Sequence, residues 1–184
     1  MVSTAKRLFK HVACYLDLID EIIPIASSHE YHFVSDEWYQ QWAKSDQFTI
    51  ERANFIIALE LIDKAHLVAV VALLRARRWN DAICSMFERE NLPGWAASAR
   101  GLLESAGDTH EGLSAIPEPL ARHHHTITEC LSGTKNEFVH IGELEKTLDH
   151  FVHAGWTRLK DSVLKAKANE SYVGIYWTQL LPTL

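Results

Sequence analysis

Between Thr49 and Glu90 nothing turn-like interrupts the chain, which has neither glycine nor proline there. Phe55, Ile56, Leu59, Ile62, Leu67, Val70, Val71 and Leu74 recur within it at the three- and four-residue steps of one helix face. The run VAVVALL could form a buried strand in another setting, because short apolar runs are ambiguous. Here it joins ELIDKAH before it and RARRWNDAICSMFERE after it without a break, so the spacing predicts one long helix. Such a helix must bury an apolar stripe along its length, and the rest of the chain supplies further helices for that purpose.

Ser3 or Thr4 can cap a first helix whose stripe is Leu8, Val12, Tyr15, Leu16, Ile19 and Ile22/Ile23, with Pro24 as its stop. SSHEYHFV is a connector. Ser35, followed by Asp36 and Glu37, caps a short helix rich in aromatics: Trp38, Tyr39 and Trp42. Thr49 caps the long helix. Asn91-Leu92-Pro93 reads as the next start, and Gly107 and Gly112 punctuate its end. Pro117 and Pro119 open a helix through His123, His124 and His125 to Leu131, and Ser132-Gly133-Thr134 is a turn. The last helix runs from about Glu143 to Lys167 on a stripe of Leu144, Leu148, Phe151/Val152, Leu159 and Val163. The pattern predicts an all-α bundle of six to seven helices with no significant sheet, one helical domain over residues 1–168. An apolar tail, residues 169–184, is expected to dock on the bundle or on a partner.

Composition narrows the function classes. A chain of 184 residues with 47% apolar and 23% charged residues can bury a core of ordinary size. Its formal charge of −6 opposes direct binding to nucleic acid or to acidic membranes. Asp17, Asp20 and Glu21 interrupt the apolar N-terminal stretch, so no signal peptide is expected. No run reaches the ~20 apolar residues that span a bilayer. The expected location is the cytoplasm. Cys14, Cys84 and Cys130 are widely spaced within apolar segments and read as buried, reduced thiols.

Eleven histidines invite a metal reading, and Asp63-x-x-His66 and Glu137-x-x-His140 have the three-residue spacing of bundle metal ligands. With 24 acidic residues and 11 histidines, two such pairs are about what chance supplies. His123, His124 and His125 point about 100° apart on a helix and cannot share one ion. His29 and His32 read as exposed loop residues. No metal and no cofactor is expected. Phosphate-binding glycine loops and a nucleophile elbow are both missing. Arg75, Arg77 and Arg78 with Trp79 form a basic–aromatic patch that reads as a salt-bridged helix surface.

The segment ASARGLLESAGDTHEG carries Arg100, Glu104 and Asp108 at four-residue steps. On a helical wheel Leu102, Trp95, Ala106, Ala99, Leu103 and Ala96 make an apolar arc, expected to face the core. Arg100, Glu104 and Asp108 occupy the neighbouring arc. Ser98, Gly101 and Ser105 form a face of small residues. A glycine within a helix costs about 1 kcal/mol relative to alanine. Close approach of another helix or of a partner over Gly101 is the expected compensation.

NLPGWAASARGLLESAGD, then LSAIPEPLARHHHTI and the later LEKTLDHFVHAGW, resemble a segment of uncharacterised bacterial all-helical proteins. Its pattern is Asn-x-Pro-Gly followed by Arg-Gly-Leu-Leu-Glu-Ser-Ala, and the similarity covers about residues 85–160. The resemblance implies a companion of multi-protein systems, antiphage defence among them. Tyr176-Trp-Thr-Gln-Leu-Leu departs from the Cys/His-containing segment of that pattern. Helical ribonucleases of the HEPN superfamily carry an Arg and a His with four to six residues between them. Here His11 follows Arg7 too soon and His110 follows Arg100 too late.

The leading expectation is therefore a non-enzymatic helical subunit whose partner is another protein or a second copy of itself. Its interaction residues would be Ser98, Gly101, Ser105, Tyr172, Tyr176 and Trp177, with an aromatic surplus that includes Trp38 and Trp42. The alternative is a divergent HEPN-like ribonuclease or metal-dependent enzyme using Arg100, Glu104, Asp108, His110 and His124.

Overall fold

In the computed structural model, residues 3–31 and 33–159 are described. The tail over 169–184 lies outside them, as do its Tyr172, Tyr176 and Trp177. The architecture is all-α, with no strand among the described residues. Helix α1 (Thr4–Phe9), a 3-10 turn (Lys10–Ala13) and α2 (Cys14–Ala26) form one interrupted run. Helices α3 (Asp36–Trp42), α4 (Ile50–Glu88) and α5 (Leu92–Ala115) follow. Then come α6 (Pro117–Arg122) and α7 (His124–Leu131), broken only at His123, and α8 (Gly142–Leu159). No described helix is long and apolar enough to cross a membrane.

The caps follow the sequence. Ser3 accepts a hydrogen bond from the Lys6 N–H, Ser35 from Trp38 and Thr49 from Arg52. Each satisfies one of the orphan donors of a helix's first turn. Asn91 does the same for α5, accepting from the Gly94 N–H at 3.0 Å. Other boundaries differ from expectation. The first helix breaks at Lys10, whose φ of 51° takes it out of helical conformation. Pro24 lies inside the last turn of α2 and does not stop it. So close to the end, its missing N–H costs one hydrogen bond and no further turn depends on it. Likewise α5 runs through Gly107 and Gly112 to Ala115. Its packing against α4 outweighs the glycines' low propensity.

Two helix ends show the same geometry with different residues. After α7 the Gly133 N–H donates to the Cys130 carbonyl and the Thr134 N–H to Glu129, with Gly133 at φ 67°. After α4 the Glu90 N–H donates to Phe87 and the Asn91 N–H to Met86, with Glu90 at φ 54°. This paired pattern satisfies terminal carbonyls by placing one residue in the left-handed region. Glycine does so without steric penalty, whereas Glu90 bears the cost of its Cβ.

The chain divides into two compact units, each discontinuous in sequence: Met1–His29 with Ala69–Ser114, and Glu30–Val68 with Ala115–Leu184. Helix α4 contributes its first half to the second unit and its second half to the first. The second unit holds the described cores. In one, Ala58 and Leu61 of α4 pack with Ile116, Ile127, Cys130, Ile141, Leu144 and Leu148. In the other, Trp42, Ala53 and Ile56 gather Val34, Trp38, Tyr39, Phe48 and Leu59. Trp38 stacks on Trp42, and Phe48 meets Trp42 edge-on. The core thus absorbs two aromatics expected to be surplus, because α3 folds onto the start of α4.

A single polar side chain organises the connector into α8. Asn54, buried on α4, donates through Nδ2 to the carbonyls of Lys135 (3.1 Å) and Glu137 (2.7 Å). Its Oδ1 accepts from the Val139 N–H at 3.0 Å. Three backbone groups of a segment without regular structure are thereby satisfied away from water. Nearby, Lys64 bridges Glu60 at 2.8 Å and Asp149 of α8 at 2.6 Å. Burial alone would lower the Lys64 ammonium, but hydrogen bonds to Asp149 and Glu60 outweigh it and hold its pKa above the usual lysine value. The stabilisation is therefore fully present at neutral pH and is lost only as the pH rises through that raised value.

The thiols correct one expectation. Cys130 is buried and Cys84 half-buried, and burial pushes both thiols up. Cys14 is exposed, its Sγ 3.1 Å from the His11 carbonyl oxygen. An apolar sequence neighbourhood did not bury it, because α2 packs only one of its apolar faces.

Two variants test these assignments. Asn54→Leu leaves two carbonyls and one N–H without their partner, and a loss of about 3 kcal/mol is expected in urea unfolding. A loss under about 1 kcal/mol would show that the connector does not depend on the clamp. Glu90→Gly should raise stability by about 1 kcal/mol, with no comparable gain from Glu90→Ala.

Candidate interaction surface

Within the first unit, α4 and α5 form an antiparallel hairpin joined at Glu90. Met86 faces Gly94, Trp79 faces Gly101 and Arg75 reaches Asp108. Seven-residue steps on α5 therefore answer a seven-residue step and then a four-residue step on α4. A Cβ built on Gly101 would lie 2.6 Å from two ring carbons of Trp79, and one on Gly94 would lie 2.6 Å from the Met86 sulfur. Neither contact can be tolerated without movement, so glycine is what admits the indole and the thioether. The group against Gly101 is the chain's own Trp79.

Ser98 and Ser105 are buried beside it. Ser98 returns its hydroxyl to the Gly94 carbonyl at 2.9 Å, while the Ser105 hydroxyl finds no partner among the described residues. The small-residue face is thus the packed face of α5. Ala99 and Leu102 are half-buried, but Trp95, Ala96, Leu103 and Ala106 of the arc expected in the core are exposed, Leu103 at 74%. The physical reason lies on α4. Its facing side chains are bulky, and two bulky faces cannot approach to helix-packing distance. Hydrophobicity along α5 gave the wrong face, whereas the residue sizes, read against Trp79 and Met86, would have given the right one.

The charges do not form one stripe. Arg100 pairs with Glu104 at 2.9 Å on the exposed surface, where such a pair contributes only a few tenths of a kcal/mol. Asp108 instead pairs with the largely buried guanidinium of Arg75 at 2.9 Å. His110 is exposed on α5 in the first unit, and His124 is exposed on α7 in the second. Arg77 bonds Asp20 of α2 at 2.5 Å and also Asp81. Arg75 and Arg77 of the basic–aromatic patch are therefore engaged by α5, α2 and α4, and its tryptophan lies over a glycine.

The other sequence pairs fare differently. Asp63 is buried on α4, and one turn later His66 shares a hydrogen bond with the Tyr31 hydroxyl through Nδ1 at 3.0 Å. Glu137 and His140 lie in the connector, so their spacing places them on no helix face. His140 Nδ1 lies 3.3 Å from a carboxylate oxygen of Glu145. Of the three consecutive histidines, His123 is half-buried and the other two are exposed. Among the described residues no three His, Cys, Asp or Glu side chains converge as metal ligands would.

What the first unit presents instead is apolar surface. Val12, Tyr15, Leu18, Ile22 and Ile25 are exposed along the second part of the first run, Tyr15 at 63% and Ile25 at 75%. Leu16, Ile19, Ile23 and Ala26, on the neighbouring face of α2, are half-buried. The apolar residues of α2 thus cover two faces, of which one is packed. On α5 a second stripe runs through Leu92 (72%), Trp95 and Leu103. Phe87 adds to this set, so nine of the twelve large apolar side chains exposed among the described residues belong to the first unit.

The Trp79–Gly101 contact has a signed test. Gly101→Ala should destabilise the protein by about 1 to 2 kcal/mol, because overpacking against a rigid indole outweighs the helix-propensity gain of about 1 kcal/mol. In a Trp79→Leu background the same substitution should become stabilising. Equal signs in both backgrounds would rule the contact out as the reason for the glycine.

No protein-family model, no curated protein and no solved structure matches this chain.

Proposed function

We propose that this chain is a non-enzymatic helical subunit that binds another protein through its first unit. The observation that carries the reading is the uneven distribution of apolar side chains between the units. Fully burying a Val, Leu, Ile or Phe side chain is worth about 1.5 to 3 kcal/mol. The second unit takes that stabilisation internally, in two cores. The first leaves Val12, Tyr15, Leu18, Ile22, Ile25, Leu92 and Leu103 in water, aligned along helices and not scattered singly. Aligned exposed apolar residues mark binding surfaces. The exposed Arg100–Glu104 pair fits the rim of such a surface. A bacterial multi-protein system, antiphage defence included, is the setting proposed from the resemblance over residues 85–160.

Co-expression with the products of neighbouring genes tests the reading. A stable complex is expected by size-exclusion chromatography with light scattering. Leu103→Asp and Leu18→Asp, introduced together, should abolish it while lowering the melting temperature of the isolated chain by no more than about 5 °C, since both side chains are exposed. A monomer that joins none of these products would overturn the proposal.

A further inference from the structure

The two apolar stripes differ at their borders, and the border of α2 indicates what it receives. At about 100° per residue, Tyr15, Leu18, Ile22 and Ile25 fall within an arc of about 80°. One side of that arc is the half-buried face of Leu16, Ile19, Ile23 and Ala26. On the other side come Glu21 and then Asp17, both exposed. No basic residue lies between Cys14 and Ala26. Arg77 reaches α2 from α4 and is shared between Asp20 and Asp81, so that three-charge group is itself net negative.

We infer that the exposed stripe of α2 docks an amphipathic helix of a partner protein whose apolar stripe is bordered by lysine or arginine. The inference rests on the protein-binding reading above and gives that partner a chemistry. An apolar stripe of three-, four- and three-residue steps matches the anchors by which one helix lies along another. The acidic border then selects among candidates. A second copy of α2, packed antiparallel, would set Glu21 and Asp17 against their own equivalents, and an anionic lipid surface would meet the same repulsion. A cationic border relieves it, and opposite charge at the rim sets partner choice and association rate more than raw affinity.

The test uses the full chain and two fluorescent helical peptides with the same leucine stripe, bordered in one by lysines and in the other by glutamates. Anisotropy should show the lysine-bordered peptide binding about tenfold or more tightly than its counterpart, with the preference shrinking as salt is raised. Leu18→Asp and Ile22→Asp should each remove binding of the lysine-bordered peptide. The paired change Asp17→Lys with Glu21→Lys should reverse the preference, which a merely misfolded protein could not do. Equal binding of the two peptides, binding of neither, or an unchanged preference in the paired variant would overturn the inference. So would Glu21-dependent self-association, or binding to vesicles of anionic phospholipid that exceeds binding to the lysine-bordered peptide. A complex with a neighbouring gene product that survives Leu18→Asp alone would overturn the α2 assignment and leave the subunit reading standing, whereas no complex at all would remove that reading.

Discussion

Helix α4 is the element on which both units depend, because it contributes half its length to each. Without glycine or proline it has no intrinsic breaking point, and its side chains organise what packs around them. In the second unit Asn54 ties down the connector before α8 through three backbone hydrogen bonds, and Ala58 and Leu61 enter the main core. In the first unit Arg75, Trp79 and Met86 set the register of α5. A substitution on α4 is therefore felt in the elements packed against it as well as in α4 itself.

The α4–α5 hairpin explains how the first unit comes to display apolar residues. An indole and a thioether on α4 demand small partners, and α5 supplies Gly94, Ser98, Gly101 and Ser105. Once that face is turned inward, helical geometry carries Leu92 and Leu103 to the far side. Exposure of the apolar stripe and burial of the polar face are one choice and not two. The same logic applies more weakly to α2, whose apolar residues are too many for one packed face. The first unit is held by a small-residue seam and by ion pairs such as Arg75–Asp108 and Arg77–Asp20, with Val70 and Ile83 among its few buried apolar groups.

Local chemistry was legible wherever its partner lay within a turn or two. Ser3, Ser35 and Thr49 read as caps, and Gly133 as a turn, because the groups they satisfy are their sequence neighbours. Leu144 and Leu148 read as core because α8 has one apolar stripe. Glu90 was not legible as a left-handed residue, since its type argues against that conformation. Nor was Asn54, whose three partners lie more than eighty positions away. The alignment of Arg100, Glu104 and Asp108 was visible, but not that Asp108 would leave Arg100 for Arg75.

By itself the sequence determined the all-α class, the course of the long helix and the starts capped by Ser3, Ser35, Thr49 and Asn91, because these follow from period and capping within a single segment. It also contained, unread, the reason for Gly101: a tryptophan twenty-two positions earlier. Only the tertiary structure decided which face of α5 turns inward. That choice compares the shapes of two helices, and hydrophobicity summed along one of them carries no information about the other.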